Sequence, residues 1–195
     1  MKACSILPEG YSEYFKVDLK KNKKQAVFVN VLSILIAVAV VVPACFFVPI
    51  TTLFSFRRIG TSLLKLGLIL VFMIIYLLLH ELTHGIAMKL CGTKRVRYGF
   101  TVIYAYAGSD DYYGKGAYIF IALAPVVLFF ALLSVACVIV PASWFWVVYF
   151  IQIMNLSGAA GDLYVTFKFL RFPRDILIRD SGVSMVVYSK GGAMG

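Results

Sequence analysis

Residues 26–48, AVFVNVLSILIAVAVVVPACFFV, pass 23 positions without a charge. A helix of that length covers about 35 Å at its fixed rise per residue, enough to cross the hydrocarbon of a bilayer. Lipid offers no partner to backbone N–H and C=O groups, so a chain that spans there must be helical or a closed barrel. Three further apolar stretches follow, at about 66–90, 117–140 and 144–170. The expected fold is therefore an all-α polytopic membrane protein with four transmembrane helices. An amino-terminal segment (1–25) and a tail (171–195) would flank a membrane domain at 26–170.

Composition supports this reading: 62% of residues are hydrophobic and 14% charged, where soluble domains carry about 45–50% and 25%. A net charge of +10 could suggest nucleic acid, but the lysines and arginines flank apolar runs instead of gathering on a polar domain, which excludes that class. The basic start before residue 26 resembles a signal peptide, yet the apolar run exceeds the 7–15 residues of a signal core, so a retained first span is expected.

Orientation follows from the same charges. Sixteen of the 19 lysines and arginines lie in the amino-terminal segment, around the 91–116 connector, or in the tail with the last turn of the fourth span. Only Arg57, Arg58 and Lys65 fall at the other two connectors. Both termini and the 91–116 connector are thus expected in the cytoplasm of a multi-pass cell-membrane protein. The lysine cluster also suits contact with anionic lipid.

Between the second and third spans, residues 95–106 are rich in β-branched and aromatic types and precede Gly-Ser-Asp-Asp, which predicts a short cytoplasmic β-hairpin with Asp110 and Asp111 as solvated turn residues. The tail sequence DILIRDSGVSMVVYS alternates around Asp180-Ser181-Gly182 and predicts a second hairpin. Pro125 lies inside the third span, where its missing N–H must be compensated by a neighbour or a kink. Trp144 and Trp146 open the fourth span at the place of interfacial anchors. The four cysteines are scattered without a C-x-x-C pair and read as small core hydrophobes. Cys91, seven residues past His84, shares its helix face.

Within the second span stands His80-Glu81-Leu82-Thr83-His84, an H-E-x-x-H pattern holding both histidines of the chain. Residues i and i+4 share a helix face, so His80 and His84 can offer two imidazoles to one zinc ion, with Glu81 as general base on water activated there. A third protein ligand is needed. Of nine acidic residues, one lies inside the fourth span, Asp162. A carboxylate at that depth is costly and marks either a functional site or a structural partner for a buried histidine or Lys168. Counting back from the cytoplasmic ends of the spans puts His80, Asp162 and His84 about 15, 12 and 9 Å from that face, a depth match for one shared ion. The small residues Ser157 to Gly161 would let helices approach closely. Asn155, seven before Asp162, could donate to a bound peptide carbonyl or its oxyanion, or make an interhelical hydrogen bond.

HELTHG at 80–85, the strand-like connector at 95–106, Ala124-Pro125 and N-x-x-G-x-x-G-D at 155–162 together resemble the small bacterial membrane proteins described as putative zincin peptidases. In pattern they are also similar to intramembrane zinc metalloproteases of the site-2 type. The resemblance implies His80, His84 and Asp162 as ligands of one zinc ion and Glu81 as base. The chain differs from the site-2 pattern in having Gly158 where that pattern has proline, one residue fewer between Asn155 and Asp162, and Leu163 after the aspartate.

The function expected is a membrane-embedded zinc metalloendopeptidase acting on a membrane-protein substrate near the cytoplasmic face. The connector strand is an edge on which an unwound substrate could pair. The alternatives are a non-catalytic metal-binding scaffold that binds a partner, and a metal-dependent enzyme acting on a lipid or small molecule.

Overall fold

A computed structural model describes residues 3–18, 21–54, 59–100 and 105–190. In chain order the elements are β1 (Ser12–Val17), α1 (Lys23–Phe47), a single 3₁₀ turn (Ile50–Leu53), α2 (Ile59–Leu90), β2 (Arg97–Phe100), β3 (Ala105–Gly108), β4 (Tyr112–Gly114), α3 (Lys115–Ile139), α4 (Phe145–Gly158), α5 (Ala160–Leu170), β5 (Leu177–Asp180) and β6 (Met185–Ser189). Contacts group the chain into two compact units, each assembled from segments distant in sequence.

The first unit comprises Met1–Val29, His80–Pro125 and Asp162–Gly195. Its four-stranded antiparallel sheet has the order β1-β6-β5-β4. Phe15 pairs with Val187, Val187 with Ile178, and Ile178 with Tyr113, so one row of side chains crosses the whole sheet on one face. Val187, Ile178 and Tyr113 are completely buried, together with Phe169 of α5 and the nearly buried Tyr118 of α3. The expected tail hairpin is present as β5–β6. The amino-terminal segment, expected as a polar flank, instead supplies an edge strand of this sheet; the pairing of Ser12 with Ser189 leaves no local mark in the sequence.

Helix α2 ends where its sequence says it should. Gly92 takes φ of +101°, its N–H donates to the Lys89 carbonyl, and the Thr93 N–H donates back to Met88. That pair of bonds is a Schellman cap, for which glycine is the best residue. Beyond it, β2 and β3 pair antiparallel as the predicted connector hairpin; residues 101–104 of the expected strand lie outside the described residues. Asp110, expected as a solvated turn residue, is half-exposed but accepts from Arg97 at 2.8 Å and Arg179 at 2.6 Å through one oxygen. The hydrogen bonds from Arg179 and Arg97 hold its carboxyl below the usual carboxylate range.

In the second unit, Asn30–Leu79 and Val126–Gly161, helix α4 sends a polar stripe toward neighbouring backbone. Tyr149 donates to the Val40 carbonyl, Gln152 to Phe130, and Asn155 to Val126. Trp146, expected as an interfacial anchor, is 1% exposed and donates its indole N–H to Val48 at 3.1 Å. It is a core residue of this unit with Ala44, Leu53, Ile69 and Val147.

Four spans were expected; among the described residues, three helices (α1, α2 and α3) are long and apolar enough to cross a membrane. The stretch expected as the fourth is broken at Ala159 into helices of 14 and 11 residues. Two glycines flanking Ala159-Ala160 each weaken a helix by about 1 kcal/mol. Ser157 also returns its hydroxyl to the Ile153 carbonyl at 2.7 Å, a bond that bends helices. The glycines do not serve close packing, since a Cβ at Gly158 or Gly161 would meet open space; the buried small residues are Ala159 and Ala160. The break places Asp162 in the first turn of α5, where free N–H groups and the helix dipole favour an anion.

Candidate metal centre

Helix α2 delivers His80 and His84 one turn apart, with ring centroids 4.8 Å apart. The first turn of α5 delivers Asp162 opposite them. His80 Nε2 is 3.5 Å from Asp162 Oδ2, and His84 Nε2 is 3.7 Å from Oδ1. One ligand atom from each of the three residues lies within 4.8 Å of the others. The side chains are 12%, 12% and 26% exposed, so the cluster is partly shielded yet reachable.

These separations bear on two readings. A charge-assisted hydrogen bond between imidazole and carboxylate would close to about 2.7–2.9 Å. Four ligands about 2.0–2.1 Å from a tetrahedral zinc stand about 3.4 Å from one another. The gaps at Asp162 are longer than that, and with one ligand atom from each residue within 4.8 Å of the others they leave room for one ion among them. Two imidazoles and one carboxylate are also a known catalytic zinc donor set, which leaves a position for water. The residues present fit the ion.

Each imidazole must offer a bare nitrogen. His84 Nδ1 lies 2.9 Å from the Ile121 carbonyl of α3. A carbonyl only accepts, so Nδ1 carries the proton, and Nε2 is the nitrogen that can offer its lone pair to a metal. Sequence reasoning had no signal for this contact, because its acceptor is backbone.

Glu81 sits about 100° round α2 from His80 and is not one of the three converging groups. The backbone N–H of Ala107 on β3 faces its carboxylate. Opposite Ala107 in the ladder is Tyr98, whose hydroxyl rests on Gly85, one helical turn beyond Glu81. A Cβ added to Gly85 would collide with that hydroxyl and the adjoining ring edge. Burial, then the Glu81 carboxylate, holds the Tyr98 phenol above its ordinary value, so it remains a donor. The strand read as a possible substrate edge therefore also abuts the base.

Gly85→Ala tests this seat. Alanine should gain about 1 kcal/mol of helix propensity, but overpacking costs about 1–3 kcal/mol. The expected result is a lower unfolding midpoint in Gly85→Ala, reversed to a gain when Tyr98→Ala is added. Equal effects of Gly85→Ala in both backgrounds would show that the contact carries no energy.

A carboxylate of the tail bonds to the same α3. Asp180 accepts from the Tyr118 hydroxyl at 2.5 Å and from the Gly182 N–H at 2.8 Å. Burial pushes its carboxyl up against those two hydrogen bonds. The tail hairpin is thus tied to the helix that carries Ile121.

Asn155 and Cys91, the remaining sequence candidates, have other employment. The Asn155 side chain is completely buried in the second unit, accepting from the Tyr76 hydroxyl at 3.0 Å and donating to Val126 at 3.1 Å. Those are the interhelical bonds that were its second reading. Asn155→Leu should cost about 0.5–1.5 kcal/mol for each of the two side-chain hydrogen bonds it removes. Zinc content should stay unchanged, as thermal unfolding and elemental analysis would show. Cys91 is buried, and its thiol points to the Ala117 carbonyl.

Residues 71–177 match a family model described as putative zincin peptidase. The match includes the two histidines, Glu81, β2, β3 and Asp162. No curated protein and no solved structure matches the chain.

Proposed function

The chain belongs to the putative zincin peptidase family, and from that premise we propose that it is a membrane-embedded zinc metalloendopeptidase. Its substrate is a membrane protein, cut near the cytoplasmic face, and both of its own termini lie in the cytoplasm of the cell membrane. The observation that carries this reading is the set of imidazole–carboxylate separations, 3.5 and 3.7 Å, which suit ligands around one ion better than an ion pair. The three apolar helices support the membrane setting; the sixteen-to-three distribution of basic residues and the pairing of β1 with β6 support termini on one side, with α4 and α5 together as the return crossing.

His80, His84 and Asp162 would hold the ion. When bound there, zinc supplies a Lewis acid that polarises a carbonyl and lowers the pKa of water to about 7. The chain supplies the rest. Glu81 accepts the proton of the attacking water and returns it to the leaving amine as the C–N bond breaks. Ala107, facing the carboxylate, fixes where that proton exchange occurs. A helical substrate hides its carbonyls in its own ladder, so it must unwind before attack; the β2–β3 sheet beside Glu81 offers extended backbone against which an unwound segment can align.

The test compares membrane proteomes of cells carrying the wild-type chain or Glu81→Gln, together with the zinc content of both purified proteins. The expected result is one equivalent of zinc in each and uncleaved membrane proteins accumulating only with the variant. Zinc in both with no accumulated substrate would favour a metal-bearing scaffold. Absence of zinc from the wild type would remove the metallopeptidase reading altogether.

A further inference from the structure

Helix α3 runs from Lys115 to Ile139 with Pro125 inside it. In an α-helix the N–H of residue i donates to the carbonyl of residue i−4, and proline has no N–H. The carbonyl that loses its donor at Pro125 is that of Ile121. The proline ring also crowds that carbonyl and turns it away from the helix axis. Ile121 is 1% exposed and Pro125 is fully buried, so water does not replace the missing donor. A buried carbonyl left bare would be costly, and the group that reaches it is His84 Nδ1, at 2.9 Å.

We infer that Pro125 is the positioning residue of His84: by withholding one N–H from the α3 ladder, it reserves the Ile121 carbonyl for the imidazole. The hydrogen bond it makes available fixes both the ring orientation and the tautomer, with the proton on Nδ1 and Nε2 directed at Asp162, 3.7 Å away. The inference rests on the zinc reading for its functional consequence, but the control of His84 by Pro125 is measurable without metal. Helix interiors disfavour proline, so a proline kept at this depth solely for packing should be improved upon by alanine. A proline kept for His84 should not.

Alanine at position 125 restores an N–H that competes for Ile121. Because the chain has only two histidines, ¹⁵N-histidine labelling reports on two imidazoles alone, with His84→Gln identifying the resonances. In zinc-free protein, at a pH high enough to leave the imidazole neutral, the wild type should show His84 protonated at Nδ1, and Pro125→Ala should show a mixture of tautomers. Zinc affinity in Pro125→Ala should fall by about 10–100-fold, the range for losing a partner that orients a metal-binding histidine, at unchanged stoichiometry. Thermal stability of the zinc-free protein should not rise.

A backbone ester separates the missing N–H from the kink. Placing the α-hydroxy acid analogue of alanine at position 125 removes the N–H without restoring the proline ring. Recovery of the Nδ1 tautomer and of zinc affinity in that variant is the expected result. The inference is overturned if Pro125→Ala leaves tautomer and affinity at wild-type values, or if the ester variant is as impaired as alanine. A wild type that binds no zinc would remove the metallopeptidase reading, while the tautomer comparison would still decide the role of Pro125.

Discussion

Glu81→Gln is expected to lower peptide hydrolysis by about 10³–10⁴-fold, near the upper range for removing a general base, with zinc still bound at one equivalent. Glutamine matches glutamate in size, and its amide oxygen can still accept from the Ala107 N–H that faces the carboxylate. The three groups that converge on the metal position do not include residue 81. What glutamine lacks is a site to take up a proton near neutral pH. The substitution therefore separates chemistry from architecture. Zinc stoichiometry, the unfolding midpoint and the protection of β3 amides should all match wild type while turnover collapses. Cleavage at wild-type rates with zinc bound would exclude Glu81 as the base. Loss of zinc together with activity would mean that Glu81 holds the ion or its ligands.

The part of this site that sequence reveals is the part governed by the rise of a helix. His80 and His84 share a face because four residues make about one turn, and Asp162 could be placed at their depth because lipid forces helical backbone on both segments. The fourth segment is broken at Ala159, yet α5 resumes so soon that Asp162 still meets the histidines. Two glycines and a serine look tolerable in a membrane helix, so the break is not evident from those residues alone. Less legible were the groups that act through backbone. The Ile121 carbonyl and the Ala107 amide have no side-chain signature. Pro125 was visible as a donor removed from a helix, but the imidazole that replaces it lies 41 positions earlier in the chain. The sheet was least legible: β1 and β6 pair across nearly the full length of the chain, where neither turn chemistry nor periodicity can link them.

The second large effect is expected at Asp162. Asp162→Ala removes the carboxylate whose two oxygens lie 3.5 Å from His80 and 3.7 Å from His84. Loss of a group that only orients a ligand costs about 10–100-fold in metal affinity, so loss of a ligand itself should cost more than about 100-fold. The consequence reaches stability by mass action. Zinc at about 1,000 times its dissociation constant stabilises the folded state by about 4 kcal/mol, and a variant that cannot bind forfeits that increment. In wild type, chelation should lower the unfolding midpoint; in Asp162→Ala it should change nothing. The variant itself should unfold near the midpoint of chelated wild type, provided that alanine at the start of α5 keeps the helix. Alanine is the strongest helix former, though the favourable interaction of an anion with that helix end, about 0.3–1 kcal/mol, is lost. Asp162→Asn keeps the shape and discards only the charge, so it should bind zinc more weakly than wild type and more tightly than alanine. Equal zinc affinity across all three proteins, by competition with a chromogenic chelator, would assign Asp162 to an ion pair with the histidines and leave the third ligand to be found elsewhere.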